Sequence, residues 1–242
     1  VLELSQSISL LTDGRFDITI GPLVDLWGFG AGSYSDQKVP DVDLLASTLI
    51  NVGWNNLVLD SQNRAIKKLR PISINLSAIA KGYGVDKVAD LLASKNIANY
   101  LVEIGGEVRA SGLNREDNPW RLGIEEPSLV QQSVQRVVAL TDQAIATSGD
   151  YRNYFEENGT RFSHTFDPTS GRPIKHNIAS VSVVADNAAA ADALATALNV
   201  LGEEAALKLS ETENIAAYFI LYDNESSESK YRVVFSSAFS PY

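Results

Sequence analysis

Asp192 and Thr196 stand four residues apart inside Ala188 to Leu201, a run dominated by alanine, the best helix former. On a helix that spacing puts a carboxylate and a hydroxyl on one face. Both are mediocre helix formers set among alanines, so propensity does not account for them. A carboxylate and a hydroxyl one turn apart are hard oxygen donors, the ligand type that Mg²⁺ takes alongside waters and substrate phosphates. The same spacing also suits a solvated polar face, and the two residues alone leave both readings open. His164 is the second candidate. Phe162 to Phe166 alternates with partly apolar positions and reads as a short strand, and Asp167-Pro168-Thr169-Ser170-Gly171 is strong turn chemistry. A histidine at a strand end beside a turn can project onto a loop rim and exchange protons near neutral pH. His176 is the only other histidine, and a structural hydrogen-bonding role is the alternative for His164.

Two further clusters bear on binding. Phe16 to Gly30 mixes aromatics with glycines, a composition suited to gripping a planar ring while backbone approaches closely. A core strand followed by a glycine loop would look similar. Glycines 28, 30 and 32 lack the spacing and the strand-to-helix context of a dinucleotide fingerprint, and no phosphate-binding P-loop is present. Asn75 to Asp86 reads as a strand running into a helix. Such a junction exposes N–H groups and, with Lys81 beside it, offers a phosphate cradle; the alternative is a tight turn with a solvated lysine.

The elements that must position these residues follow from pattern. Asn187 or Asp186 can cap the Asp192 helix, Gly202 fits its left-handed stop, and Leu194, Leu198 and Leu201 form its buried stripe. Earlier come a helix ending at Asp13-Gly14, a glycine-rich loop from Gly28 to Pro40, and a helix marked by Val42, Leu45, Leu49 and Val52. Leu57 to Leu59 and Ala65 to Lys67 flank a turn and predict a hairpin. Ile72 to Leu76 predicts a strand, and Ala80 to Lys95 a helix whose apolar side carries Val85, Val88, Leu91 and Leu92. Short strands are expected at Tyr100–Ile104, Glu107–Ala110, Trp120–Ile124, Ser133–Leu140 and Ala144–Thr147, then at Ala179–Ala185, Ile215–Tyr222 and Tyr231–Phe235, with a short helix at Glu203–Leu209. Strands in runs favour α+β with a largely antiparallel sheet, and the element order hints at two related halves.

The chain has 242 residues, 45% of them hydrophobic and 21% charged, enough to bury a large core in one domain or two packed halves. A net charge of -10 and a pI near 4.7 argue against nucleic acid or an anionic membrane surface as partner. An anionic substrate would therefore need a local cation. Cysteine is absent, which excludes disulfides, zinc–thiolate sites and cysteine nucleophiles. Val1 to Leu11 already follows helical spacing, without a preceding cap or methionine, so a truncated or processed product is expected. No signal peptide, lipid-attachment cysteine or transmembrane run of about 18 apolar residues is visible.

Six segments, in order, resemble one family, the ApbE-type FAD:protein FMN transferases or flavin transferases. They are FDITIGPLVDLWGFG at 16 to 30, INLSAIAKGYGVD at 74 to 86, LVEIGGEVRASG at 101 to 112, IATSGDYRNYF at 145 to 155, SHTFDPTSGRPIKHN at 163 to 177 and ADALATALNVLG at 191 to 202. Together they span nearly the whole chain and decide among the open readings. The resemblance implies a single ApbE-type domain over residues 1–242, lacking the family's opening strand with its Met-Gly-Thr signature and the flavin-closing segment after it. It implies a Mg²⁺-dependent enzyme that splits FAD at its pyrophosphate, moves FMN onto a Thr or Ser hydroxyl of an acceptor protein, such as a subunit of a membrane redox complex, and releases AMP. Metal ligands carried over by motif position are the Ala78 carbonyl, the Asp192 carboxylate and the Thr196 hydroxyl. His164 matches a histidine important for catalysis, as proton acceptor or phosphate orienter. Flavin-nucleotide contacts fall to Arg15, Phe16, Asp17, Lys81 and the chain around Phe166. The family also implies the bacterial periplasm or the outer face of the cytoplasmic membrane, often through a lipid-modified cysteine. A FAD pyrophosphatase giving free FMN and AMP, and a non-catalytic flavin-binding protein, are the alternatives.

Overall fold

The computed structural model describes residues 1–30, 37–127, 133–150, 153–223 and 230–242. Gly32 of the early glycine-rich loop and Tyr151-Arg152 of the fourth family-like segment lie outside the described residues. In chain order the helices are α1 (Leu2–Leu11), α2 (Gly21–Leu26), α3 (Val42–Leu49), α4 (Ala80–Ser94), α5 (Ala188–Leu201) and α6 (Glu203–Thr212). The strands are β1 (Leu57–Asp60), β2 (Ala65–Lys68), β3 (Tyr100–Ile104), β4 (Glu107–Ser111), β5 (Trp120–Glu125), β6 (Val134–Leu140) and β7 (Gln143–Gly149). They continue with β8 (Tyr154–Glu157), β9 (Thr160–Ser163), β10 (Phe166–Asp167), β11 (Arg172–Pro173), β12 (Ile178–Ala185), β13 (Ala216–Tyr222) and β14 (Tyr231–Phe235). All described pairings are antiparallel, so the α+β expectation holds. Among the described residues no helix is long and apolar enough to cross a membrane.

The chain forms two compact units, Val1–Ser77 with Asn153–Lys175, and Ala78–Arg152 with His176–Tyr242. The first holds α1 to α3 and three two-stranded ladders, β1–β2, β8–β9 and β10–β11. Asp41 caps α3 by accepting from the Asp43 and Leu44 N–H groups. The Phe16–Gly30 segment contains α2 and no strand, which corrects the core-strand alternative; Pro22, with its fixed φ and missing N–H, suits a first helical turn. The strand expected across Phe162 to Phe166 breaks at His164, because β9 pairs with β8 and β10 with β11. Ile72 to Leu76 carries β-prone residues but pairs with no strand among the described residues. Gly171 closes the β10–β11 turn at φ +66°, where an added Cβ would stand about 3.0 Å from Leu45 and Leu49 side chains.

The second unit is built on a six-stranded sheet ordered β14-β13-β12-β7-β4-β3. Because side chains alternate across a strand, Val184 and Ile220 point to one face and Val183 and Phe219 to the other. On the first face they pack with Ile124, Val138 and Leu140 of the β5–β6 hairpin. On the second they meet Ala195 and Leu198 of α5. Covered on both sides, β12 is buried along seven of its eight residues, and its apolar run IASVSVVA follows from that.

Helix α5 starts and stops where its sequence predicts. Asn187 accepts from the Ala190 N–H, and Gly202 ends the helix at φ +78°. Its ψ of 165° lies outside the left-handed helical basin, and the residue also begins α6, so Gly202 is a joint between two helices rather than a simple stop. Helix α4 departs further from expectation. Its buried residues are Gly82, Val85, Asp86 and Ala89, while Val88 and Leu91 are 41% and 57% exposed. Small residues line that face because α5 crosses it at backbone distance. A Cβ at Gly82 would stand 2.2 Å from the Ala188 carbonyl oxygen and 2.8 Å from the Ala189 Cα.

Helix propensity alone would have Gly82→Ala stabilise the fold by about 1 kcal/mol. The clash with main chain reverses the sign, and a net loss of about 3 kcal/mol is expected in urea unfolding. Gly84→Ala is the control: its Cβ would make ordinary contact, 3.5 Å from Ile104, and should be neutral or stabilising. Equal behaviour of the two variants would refute the close crossing.

Candidate active site

The start of α5 carries three N–H groups without helical acceptors. Asn187 takes that of Ala190, and Asp86, reaching across from α4, takes those of Ala188 and Ala189, each at 2.9 Å. Arg109 of β4 pairs with the same Asp86 at 2.9 Å. In return Asp192 of α5 accepts the Gly82 N–H of α4 through Oδ2 at 3.0 Å. The helical ladder of α4 begins with the Tyr83 N–H on the Ile79 carbonyl, so the Ala78 carbonyl stands one residue outside it.

Asp192 is 5% exposed, which rules out the solvated-face reading of its helix. Thr196, one turn further on, is half-buried. Beside Asp192 lies Lys81, whose Nζ contacts Glu107 Oε1 and stands 3.7 Å from Asp192 Oδ1. Burial raises the Asp192 carboxyl above its ordinary range, while the Lys81 ammonium and the Gly82 N–H pull it down. Burial likewise raises Glu107, against the attraction of Lys81 and with the repulsion of Asp192.

These donors fit a hard divalent cation better than a softer metal. Among the described residues no cluster of three or more His, Cys, Asp or Glu could hold an ion. One carboxylate with neutral oxygens, leaving positions for phosphate and water, is the pattern of Mg²⁺. Among the described residues Asp192 Oδ1 has no partner as close as the Gly82 N–H is to Oδ2, and Asp192 shares its helix face with Thr196.

The remaining predicted residues belong to the first unit. Arg15 pairs with Asp167 at 2.7 Å. Phe16 is 2% exposed and Phe166 1%, so their side chains serve the core. The Asp17 carboxylate accepts from the Thr19 N–H and hydroxyl and from the Trp54 N–H; burial raises its pKa and these bonds oppose the rise. Trp27 packs against Phe155, Phe162 and Phe166, and Phe29 against Phe155, Phe166 and His164. His164 Nδ1 lies 3.1 Å from the Asn153 carbonyl. A carbonyl only accepts, so Nδ1 carries a proton in this contact.

Lys81, Asp192, Thr196 and Ala78 thus fall in the larger unit, and Arg15, Phe16, Asp17, His164 and Phe166 in the smaller. Sequence reasoning missed Asp86, Glu107 and Arg109. The family-like segments at 74 to 86 and 101 to 112 contain all three, and an acidic residue directly after a glycine pair was a further signal at Glu107.

A family model described as the ApbE family matches residues 1–219. The chain is 46% identical over 232 residues to the FAD:protein FMN transferase of Vibrio cholerae, covering 96% of this chain and 68% of the relative. It is 44% identical to the protein of the same name from Haemophilus influenzae, covering 91% and 65%. The chain therefore spans about two thirds of the length of these curated relatives. Among solved structures, the flavin transferase ApbE from Vibrio cholerae superposes with a TM-score of 0.88 at 42% identity, covering 99% of this chain and 74% of that one. The ApbE protein of Thermotoga maritima gives 0.87 at 31% identity, covering 99% and 75%.

His176 provides a check on the surroundings of α5. Its Nε2 donates to the Asn199 carbonyl at 2.6 Å and its Nδ1 accepts the Ile178 N–H at 3.2 Å, a pattern only the neutral ring supports. Burial lowers its pKa below 6.5, although the Asn199 bond and Asp150 work the other way. The unfolded chain then binds more protons than the folded one as pH falls through 6.5, so this contribution is full above that pH and is lost below it. Melting curves from pH 7.5 to 5.5 should show a falling midpoint, and His176→Gln should flatten that dependence while lowering stability at pH 7.5. Parallel pH dependences of the two proteins would contradict the buried neutral imidazole.

Proposed function

This chain belongs to the ApbE family, and from that premise we propose that it transfers FMN from FAD to a Thr or Ser hydroxyl of an acceptor protein, releasing AMP. The hydroxyl oxygen bonds to the FMN-side phosphorus, the bridging P–O bond breaks, and AMP departs. The observation that carries this reading is the buried Asp192, fixed through one oxygen by the Gly82 N–H and sharing its helix face with Thr196. The relatives named FAD:protein FMN transferase support the reaction.

Ala78 through its carbonyl, Asp192 and Thr196 would hold Mg²⁺. When bound there, the ion supplies Lewis-acid polarisation of a phosphoryl oxygen and neutralises charge on the departing phosphate. Lys81 supplies a second positive group at the same place, which a chain of net charge -10 needs in order to receive a dinucleotide. His164, oriented by the Asn153 carbonyl, takes the hydroxyl proton, a role that assists such attacks by about 10²- to 10⁴-fold. Arg15 and Phe16, with Asp17 and Phe166, contribute flavin-nucleotide contacts; since the Asp17 carboxylate is already committed to Thr19 and Trp54, its contact falls to the main chain. An extracytoplasmic setting, in the periplasm or on the outer face of the cytoplasmic membrane as a lipoprotein, belongs to the same reading and is supported by the family resemblance alone. A subunit of a membrane redox complex is the acceptor it implies.

Incubation of the full chain with FAD, Mg²⁺ and a threonine-bearing acceptor should give one FMN adduct by mass spectrometry for each AMP formed. AMP with free FMN and an unmodified acceptor would make the protein a FAD pyrophosphatase; bound FAD without AMP would make it a flavin binder. Asp192→Ala should abolish turnover while FAD affinity falls far less, and equal losses in the two would contradict the metal role. Removal of the divalent ion by EDTA should stop turnover of the wild type in the same way.

A further inference from the structure

Glu107 is placed by the tightest turn of the sheet. Ile104 and Glu107 pair directly across the two-residue loop Gly105-Gly106, whose φ values of +62° and +100° lie in the region that favours glycine. The turn sets Glu107 beside the Lys81 stem, and a Cβ on Gly105 would stand 3.3 Å from Lys81 Cδ. The Glu107 residue is 2% exposed. Its Oε1 contacts the Lys81 ammonium, and its Oε2 is buried without a hydrogen-bond partner among the described residues. A half-satisfied carboxylate out of water is costly, and an apolar residue would pack there without that penalty. Packing therefore does not account for the residue.

Its effect is visible on Lys81. The ammonium lies between two buried carboxylates but shares itself unequally, in contact with Glu107 and 3.7 Å from Asp192 Oδ1, beyond hydrogen-bond distance. The other Asp192 oxygen is engaged by the Gly82 N–H. Without a charge at position 107, Asp192 would be the carboxylate left beside Lys81, and a flexible four-carbon stem readily closes the remaining gap. The ammonium would then sit on the oxygen that a divalent cation requires. We propose that Glu107 is a positioning residue that draws Lys81 away from Asp192 Oδ1 and keeps that oxygen available to the cation. The proposal rests on the reading above in which Asp192 is a metal ligand. Glu107 also neutralises the ammonium, so that Lys81 repels an incoming divalent ion less while remaining close enough to meet a phosphate.

Mn²⁺ is the probe, since its free-ion spin-resonance signal reports binding to the protein without FAD or turnover. Glu107→Gln should weaken Mn²⁺ binding by roughly 10- to 100-fold, the usual effect of losing a partner that orients a metal ligand. In a Lys81→Ala background the same substitution should change affinity by less than about 3-fold, because the lysine it restrained is gone. A comparable loss in both backgrounds would mean that Glu107 acts through its own charge and would overturn the proposal. So would wild-type affinity in Glu107→Gln with binding abolished in Asp192→Asn, an outcome that leaves the Asp192 reading intact. Unchanged binding in Asp192→Asn would remove that reading and this proposal together. Should Glu107→Gln fail to fold, Lys81→Ala decides: it must bind Mn²⁺ at least as tightly as the wild type, and weaker binding overturns the proposal.

Discussion

Two helix N-termini exchange carboxylates, and the candidate site depends on that exchange. Asp86 of α4 takes the first two N–H groups of α5, and Asp192 of α5 takes the Gly82 N–H in the first turn of α4. Each bond joins a carboxylate to the positive end of the other helix, an interaction worth about 1 kcal/mol per cap and more where partly buried. The exchange is possible only because nothing projects from the Gly82 Cα toward Ala188. A single missing methyl group thus fixes the crossing, the crossing fixes the orientation of Asp192, and the rise of about 1.5 Å per residue then puts Thr196 one turn along the same face.

The two carboxylates differ in what remains of them. Asp86 uses Oδ1 for Ala188 and Arg109 and Oδ2 for Ala189, so neither oxygen is left to a ligand. Asp192 commits Oδ2 to main chain and turns Oδ1 toward Lys81 at a distance that is not a hydrogen bond. One is a cap, and the other has the incomplete satisfaction expected of a group that acts on something outside the fold. Two carboxyl groups and one ammonium meet at this corner, a set of groups that suits a divalent cation without excluding a pyrophosphate afterwards.

Local chemistry was legible in the sequence and tertiary exchange was not. Helix α5 could be bounded to the residue because alanine content, Asn187 and Gly202 all act locally. Most strands of the large sheet were equally plain, since alternation and turn residues need no distant partner. Ile72 to Leu76 failed because β-prone residues make a strand only where another strand pairs with them. The apolar side of α4 failed for a related reason: hydrophobicity pointed to Val88 and Leu91, whereas the close crossing selected Gly82, Asp86 and Ala89. Asp86 and Glu107 escaped notice because a buried acid looks like a surface acid until its partner from another segment is known. The metal-ligand candidates were legible in part, because Asp192 and Thr196 lie within one turn; Ala78 came only from resemblance to a family.

The two histidines differ in what their ring nitrogens meet. His176 bonds main chain through both ring nitrogens, as donor to Asn199 and acceptor from Ile178, so protonation would break an existing bond. It is therefore suited to holding the end of α5 and poorly suited to proton transfer. His164 is half-buried at the bend between β9 and β10, and one carbonyl, that of Asn153, determines which nitrogen holds the proton. A carbonyl accepts only, so its contact with Nδ1 places a proton on that nitrogen. The break in the Phe162–Phe166 strand is what permits this. A continuous ladder through His164 would have alternated its side chain with its neighbours', whereas the bend between two short ladders turns its ring onto Phe29 and the Asn153 carbonyl.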